Sequence, residues 1–198
     1  MPVLAGADYG LSTWQMPRKA GLDSPMPIYA LGDLVPQIHP DAFVHPDAVI
    51  IGNVIVGAES SIWPTTVLRG DSGLISIGSQ TSIQDGSVIH CTEKHDTIIG
   101  SRCVVGHNAH MEGCTVEDDA LIGSGSVMLH RVLVKSRAIV AAGAVLKDDT
   151  IVPNNALAYG VPAKIREDAV ENGAFDWNVE MYVKNAKLYK EKLRLISN

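Results

Sequence analysis

From Val44 onward the apolar positions of this chain recur every six residues. Val56, Ile62 and Leu68 hold the beat, as do Ile77, Ile83 and Ile89, then Ile99, Val105 and Met111. Val116, Ile122, Met128, Val134, Val140 and Leu146 carry it on without a break. Four residues after most of these aliphatics stands a small side chain, such as Ser60, Thr66, Thr81, Ser87, Cys103, Ala109 or Ala120. A helix with 3.6 residues per turn cannot return a period of six to one face, and an ordinary amphipathic strand needs sustained alternation. Short strands with a bend every six residues satisfy the pattern, with aliphatics stacked inward and small residues filling the corners. The sequence therefore predicts an all-β solenoid, a parallel β-helix of hexapeptide repeats in which each coil buries its neighbour.

Five-residue spacings break the beat at Ile51 to Val56 and at Met111 to Val116, and a longer loop runs from His90 to Ile99. A solenoid tolerates such irregularities only at its surface, where they often carry function. After Gly160-Val-Pro-Ala-Lys164 the beat stops, and Phe175 to Arg194 reads as a helix. Its stripe is Val179, Tyr182, Val183, Ala186, Tyr189 and Leu193, which predicts a helix lying along the flank of its own or a neighbouring solenoid. The expected organisation is an irregular N-terminal extension over 1–25, a β-helix domain over 26–167 and a C-terminal helical segment over 168–198.

Composition narrows the classes of function. A formal charge of −6 with no basic stripe argues against nucleic-acid binding. No apolar run approaches the roughly 20 residues that span a bilayer, and the N-terminus lacks the order of a signal peptide, so no membrane partner is expected. Three cysteines, Cys91, Cys103 and Cys114, form no C-x-x-C pair, which fits a cytoplasmic setting.

The chemistry concentrates between Ile83 and Cys114, which hold four of the seven histidines: His90, His95, His107 and His110. Glu112 lies just beyond them. Residues two apart on a short strand point the same way, so His110 and Glu112 are expected to share an outward face.

In these pieces the chain resembles the γ-class carbonic anhydrase-like family of left-handed β-helix trimers, which includes phenylacetate- and carnitine-pathway proteins. The resemblance covers Met26 to Glu167. It rests on Leu68-Arg-Gly-Asp71, Ile83-Gln-Asp-Gly-Ser-Val-Ile-His90, Val105-Gly-His107, Glu112-Gly-Cys114 and Gly160-Val-Pro-Ala-Lys164. It implies a homotrimer with a metal site shared between adjacent subunits, holding Zn2+, with Fe2+ or Co2+ as alternatives. His90 matches one metal histidine and His107 another, the latter reaching a metal held mainly by a neighbouring copy. Arg69 and Asp71 match a charged pair near the site, Gln84 and Asp85 match polar residues beside the metal's solvent, and Glu93 matches a position for an acidic proton shuttle.

The chain departs from the family at the third ligand, where histidine is expected and Glu112 stands. His2Glu is an established zinc set. Glu112 as ligand therefore competes with His110 as ligand, Glu112 then orienting it, and His130 has a smaller claim one coil further along. The implied activity is reversible CO2 hydration by metal-bound hydroxide, with CO2 or bicarbonate as substrate. Alternatives are a thioesterase of the same build acting on acyl-CoA, a hexapeptide acyltransferase and a catalytically idle trimer.

Overall fold

The structure, a computed structural model, describes residues 27–197. The N-terminal extension expected over 1–25 lies outside the described residues. Among the described residues twenty strands, most of them two or three residues long, wind into a parallel β-solenoid of about seven turns, followed by one helix, Asp176–Lys192. Each turn contributes to three faces. The first carries Val88–His90, His110–Glu112, Val127–Met128 and Val145–Leu146, and the second carries Thr97–Ile99, Thr115–Val116, Leu133–Val134 and Ile151–Val152. Two longer strands, Val49–Val56 and Val67–Ile77, run through both of these faces. The third face runs from Phe43–Val44 to Leu157–Tyr159 and closes with the antiparallel strand Lys164–Arg166.

The register stacks like on like. Leu68 pairs with Ile89, Ile89 with Met111, Met111 with Met128 and Met128 with Leu146. All five are wholly buried. The small residues fill the corners as their spacing demands, and most of their hydroxyls find partners on the next coil, Ser60 Oγ donating to the Gly78 carbonyl and Ser87 Oγ to that of Gly106, while Ser126 Oγ has none. Buried polar atoms are tolerated on those terms.

Just before each small residue the backbone turns left-handed, and ten of these turns are made without glycine, as at Gln80, Arg102 and Asn108. An L-residue pays about 1–2 kcal/mol in that conformation. At most of these turns the strain is offset by a hydrogen bond from the turn to the coil before it, with Gln80 N on Ala58 O, Arg102 N on Ser79 O and Asn108 N on Asp85 O at 2.8–2.9 Å.

The interruptions fall on one edge, between the first and second faces. Ile50, not Ile51, is the inward residue there, so six residues separate it from Val56 and the spacing expected to break at that point is regular. The true irregularities are an insertion between the inward Leu68 and Ile77, the loop between Ile89 and Ile99, and the shortened step from Met111 to Val116. Periodicity missed the first because both halves of Val67–Ile77 keep the beat on their own.

The helix covers the third face of its own solenoid. Phe43 and Trp63 pack with Ala186 and Tyr182, while Val104 packs with Phe175 and Val179. Trp63 meets Tyr189 edge-on, with ring centroids 5.0 Å apart. Among the described residues no helix covers the first face in this way. Its outward column is Val49, Val67, Val88, His110, Val127 and Val145, a valine stripe with one histidine in the middle. No helix among the described residues is long and apolar enough to cross a membrane.

Candidate metal centre

The edge between the first and second faces collects the charged groups. Parallel register sets Arg69 beside His90 and His90 beside Glu112, each on the outward side of its strand. The insertion after Leu68 swings Asp71 back toward them. His90 Nε2 lies 2.9 Å from Asp71 Oδ1, and its Nδ1 lies 3.1 Å from Glu112 Oε1. Arg69 pairs with the other oxygen of Asp71. The Thr97 hydroxyl donates to the His90 carbonyl and fixes the backbone on which the ring stands.

Glu112 gathers two further imidazoles. His130 Nε2 lies 3.6 Å from Oε1 and His110 Nε2 lies 3.7 Å from Oε2. Burial works against the charge on Glu112, but the His90 hydrogen bond and the nearby His90 and His130 rings outweigh it and hold the carboxyl below its ordinary range. Asp71 behaves alike: desolvation opposes its charge, and hydrogen bonds from His90 and Arg69 win. Both groups are thus carboxylates at neutral pH, ready to face a cation.

His107 lies elsewhere. It follows the third-face strand Val104–Val105, on the edge between the third and first faces, together with Asp85, and the two residues pair at 2.9 Å through Nδ1 and Oδ2. Both are about half exposed. Gln84 is buried beside Asp85 in sequence. One chain therefore brings together Arg69, Asp71, His90, His110 and Glu112, and holds Gln84, Asp85 and His107 on a different edge. Glu93 is exposed in the loop that follows His90.

Among the described residues, no three His, Cys, Asp or Glu side chains of one chain are gathered so as to hold a metal ion. The donors still suit one. A neutral imidazole donates from only one nitrogen, yet His90 presents a carboxylate to each, so a cation can replace a proton at one of them. With Glu112 this makes a nitrogen and oxygen pair suited to Zn2+, Fe2+ or Co2+, one imidazole short of a His2Glu set.

Cysteine adds nothing to that set. Cys91 is wholly buried, and its thiol faces the Arg69 carbonyl at 3.8 Å. Burial raises its pKa and pushes Cys103 and Cys114 up to about 12, so all three stay protonated. Sequence reasoning gave little weight to His130 and none to Asp148, whose Oδ2 lies 3.8 Å from His130 Nδ1. The only signal for them was a histidine one coil past Glu112 on the same edge.

Comparison with known proteins agrees with the architecture. The family pattern "Bacterial transferase hexapeptide (six repeats)" matches residues 36–70. The carnitine operon protein CaiE of Escherichia coli K12 is 39% identical over 168 residues, covering 84% of this chain and 82% of CaiE. Gamma carbonic anhydrase 1 of Arabidopsis thaliana mitochondria is 43% identical over 138 residues, which is 67% of this chain and 50% of that protein. The match thus spans about half the length of the anhydrase. Among solved structures, a hexapeptide transferase family protein from Anaplasma phagocytophilum superposes with a TM-score of 0.79 at 32% identity, over 83% of this chain and 98% of that one.

Proposed function

Because this chain belongs to the γ-class carbonic anhydrase-like family of hexapeptide-repeat β-solenoids, we propose that it hydrates CO2 reversibly at a divalent-metal site shared between copies of itself. The observation that carries the reading is the convergence of Asp71, His90 and Glu112 on one edge of the solenoid while His107 stands on another. A set split in this way is completed when the His107 edge of one copy meets the His90 edge of the next. The valine stripe of the first face lies between those two edges, and it supplies apolar surface for such a contact in a homotrimer.

His90 and Glu112 of one copy and His107 of another would hold a divalent cation there, and such an ion would supply water acidified toward neutral pH. Asp71 receives the second nitrogen of His90 and orients the ring, as carboxylates commonly do for ligating imidazoles. Arg69 in turn fixes Asp71. Gln84 and Asp85 travel with His107 to the same boundary, where an amide orients the attacking oxygen and a carboxylate takes its proton. Exposed Glu93 relays that proton to solvent. The carboxylate of Glu112 would lower the net positive charge at such an ion, so its water would be acidified less than with three imidazoles.

Stopped-flow CO2 hydration by protein loaded with Zn2+, Co2+ or Fe2+ tests the proposal. Activity that is lost on chelation and restored by metal supports it, and rates no better than buffer with all three metals refute it. A hexapeptide acyltransferase is the second reading, favoured by a Bacillus cereus structure described as an acetyltransferase, at 33% identity and a TM-score of 0.78. Transfer of acetyl from acetyl-CoA without CO2 hydration would decide for it.

A further inference from the structure

At the irregular edge Thr97 puts a hydroxyl where its neighbours on both sides are apolar. Register runs this inward column from Val54 through Ile75 to Thr97, and the next two coils place Cys114 and Val132 there. All five are buried, Thr97 wholly so. A buried hydroxyl needs partners, and a valine of nearly the same shape would need none. Thr97 has two. Its hydroxyl donates to the His90 carbonyl and accepts the Gly113 amide at 2.8 Å. The Thr150 hydroxyl, further along the column, bonds inside its own turn, to the Lys147 carbonyl.

The two partners of Thr97 are the groups that a continued ladder would join. Strands Val88–His90 and His110–Glu112 run parallel, with Val88 beside His110 and His90 beside Glu112. The Val88 amide bonds the Ala109 carbonyl, and a parallel ladder of that phase would carry the amide after Glu112 to the His90 carbonyl. That amide belongs to Gly113, and it reaches Thr97 instead. The hydroxyl is thus spliced into the ladder at its last rung, where the two chains leave their strands. His90 and Glu112 stand at the two ends of that rung, with His90 Nδ1 3.1 Å from Glu112 Oε1. Gly113 is pinned from its other side, since its carbonyl accepts the Arg131 amide at 2.7 Å. The loop that delivers Thr97 is itself closed, with the Thr92 amide on the His95 carbonyl at 2.9 Å and the His95 amide on the Thr92 hydroxyl at 3.1 Å.

We infer that Thr97 is a positioning residue, whose hydroxyl sets the separation of the His90 and Glu112 side chains at the site proposed above. The inference rests on that reading for its role in the reaction, while the spliced rung is a matter of geometry alone.

Three variants of the full-length protein test it. Thr97→Val removes the hydroxyl, Thr97→Ser keeps it, and Thr81→Val is the control. Thr81 is buried and makes a similar clamp at a corner between the second and third faces, donating to the Gly100 carbonyl at 2.7 Å and accepting the Cys103 amide at 3.0 Å. The metal-free proteins are titrated with Co2+, and their urea midpoints are measured alongside. Both valine variants are expected to lose stability. Only Thr97→Val binds cobalt more weakly, by the roughly 10–100-fold that loss of an outer partner costs, and Thr97→Ser binds as the wild type does. Thr97→Val binding as tightly as Thr81→Val, or Thr97→Ser binding as weakly as Thr97→Val, overturns the inference. A wild type that binds no cobalt refutes the shared metal site instead. Crystal structures of the metal-free wild type and Thr97→Val then test the positioning by itself: the contact between His90 and Glu112 opens in the variant, and an unchanged contact overturns the inference. If Thr97→Val does not fold, the wild-type crystal structure decides. A hydroxyl between the Gly113 amide and the His90 carbonyl upholds the inference, and a direct bond between those two groups overturns it.

Discussion

Two edges of this solenoid carry histidines, and they are built in opposite ways. On the edge between the third and first faces every step between inward aliphatics keeps the six-residue beat, from Val44 to Ile50 through Val140 to Leu146. The chemistry there is one half-exposed pair, His107 with Asp85. On the edge between the first and second faces the beat is broken in three consecutive coils, and there Asp71, His90, Glu112, His130 and Asp148 draw together. A regular corner pairs only neighbours on adjacent coils, near solvent, as it does His107 with Asp85. An inserted or shortened corner turns them back across the coil, half-buried and in reach of one another. The difference teaches that in a repeat fold the larger cluster of chemistry gathers around departures from the repeat, with His130 and Asp148 joining it from the regular coils alongside.

The contrast is broken most severely by disabling the two edges in separate chains. His90→Ala and His107→Ala homo-oligomers are each expected to fall to background CO2 hydration. Unfolding and refolding the two together is expected to regenerate some sites with one intact edge from each chain, recovering a measurable fraction of wild-type activity. No recovery would mean that both edges serve a single chain.

A smaller effect separates the edges by stability. Gly113→Ala on the irregular edge adds a Cβ against His95 and His130 at a left-handed turn, and is expected to cost about 2–4 kcal/mol. Gly125→Ala at a regular corner has a similar φ of +66° but meets nothing within 4 Å, so it should cost only about 1 kcal/mol. Urea unfolding of the two variants side by side measures the gap, and equal losses would show that Gly113 is not shaped around the rings.

The smallest effect is on pH dependence. Asp71 and Glu112 both titrate below their ordinary values. A depressed carboxyl contributes stability above its unfolded pKa and loses it as pH falls through the folded value. Metal-free protein should therefore lose stability from about pH 5 downward, and Asp71→Asn should flatten that acid limb. A melting temperature with the same acid slope in both proteins would contradict the ion pairs described.

Much of the fold was legible in the chain because the core is periodic. The aliphatic and small residues recur at fixed distances, and Val179 and Ala186 mark the buried side of the helix. The step from Leu68 to Ile77 was missed, and Ile51 was taken for Ile50, because neighbouring aliphatics look alike until a register assigns one of them inward. Left-handed turns at residues such as Arg102 and Asn108 were hidden for a similar reason, since hydrogen bonds to the adjacent coil permit them rather than residue type. Of the candidate site, His90, His107 and Glu112 stood out by motif. Asp148 did not, because it joins the others laterally, across coils that are remote in sequence, and lateral neighbours leave no spacing to count.

The central claim is that a divalent cation bridges the two edges at a boundary between copies. Anomalous diffraction from crystals of the cobalt-loaded protein, collected on both sides of the metal absorption edge, tests it directly. The account predicts a peak within coordination distance of His90 and Glu112 of one copy and His107 of another. A cobalt-bound crystal with no peak at that boundary, or with the metal held away from His90, would contradict it.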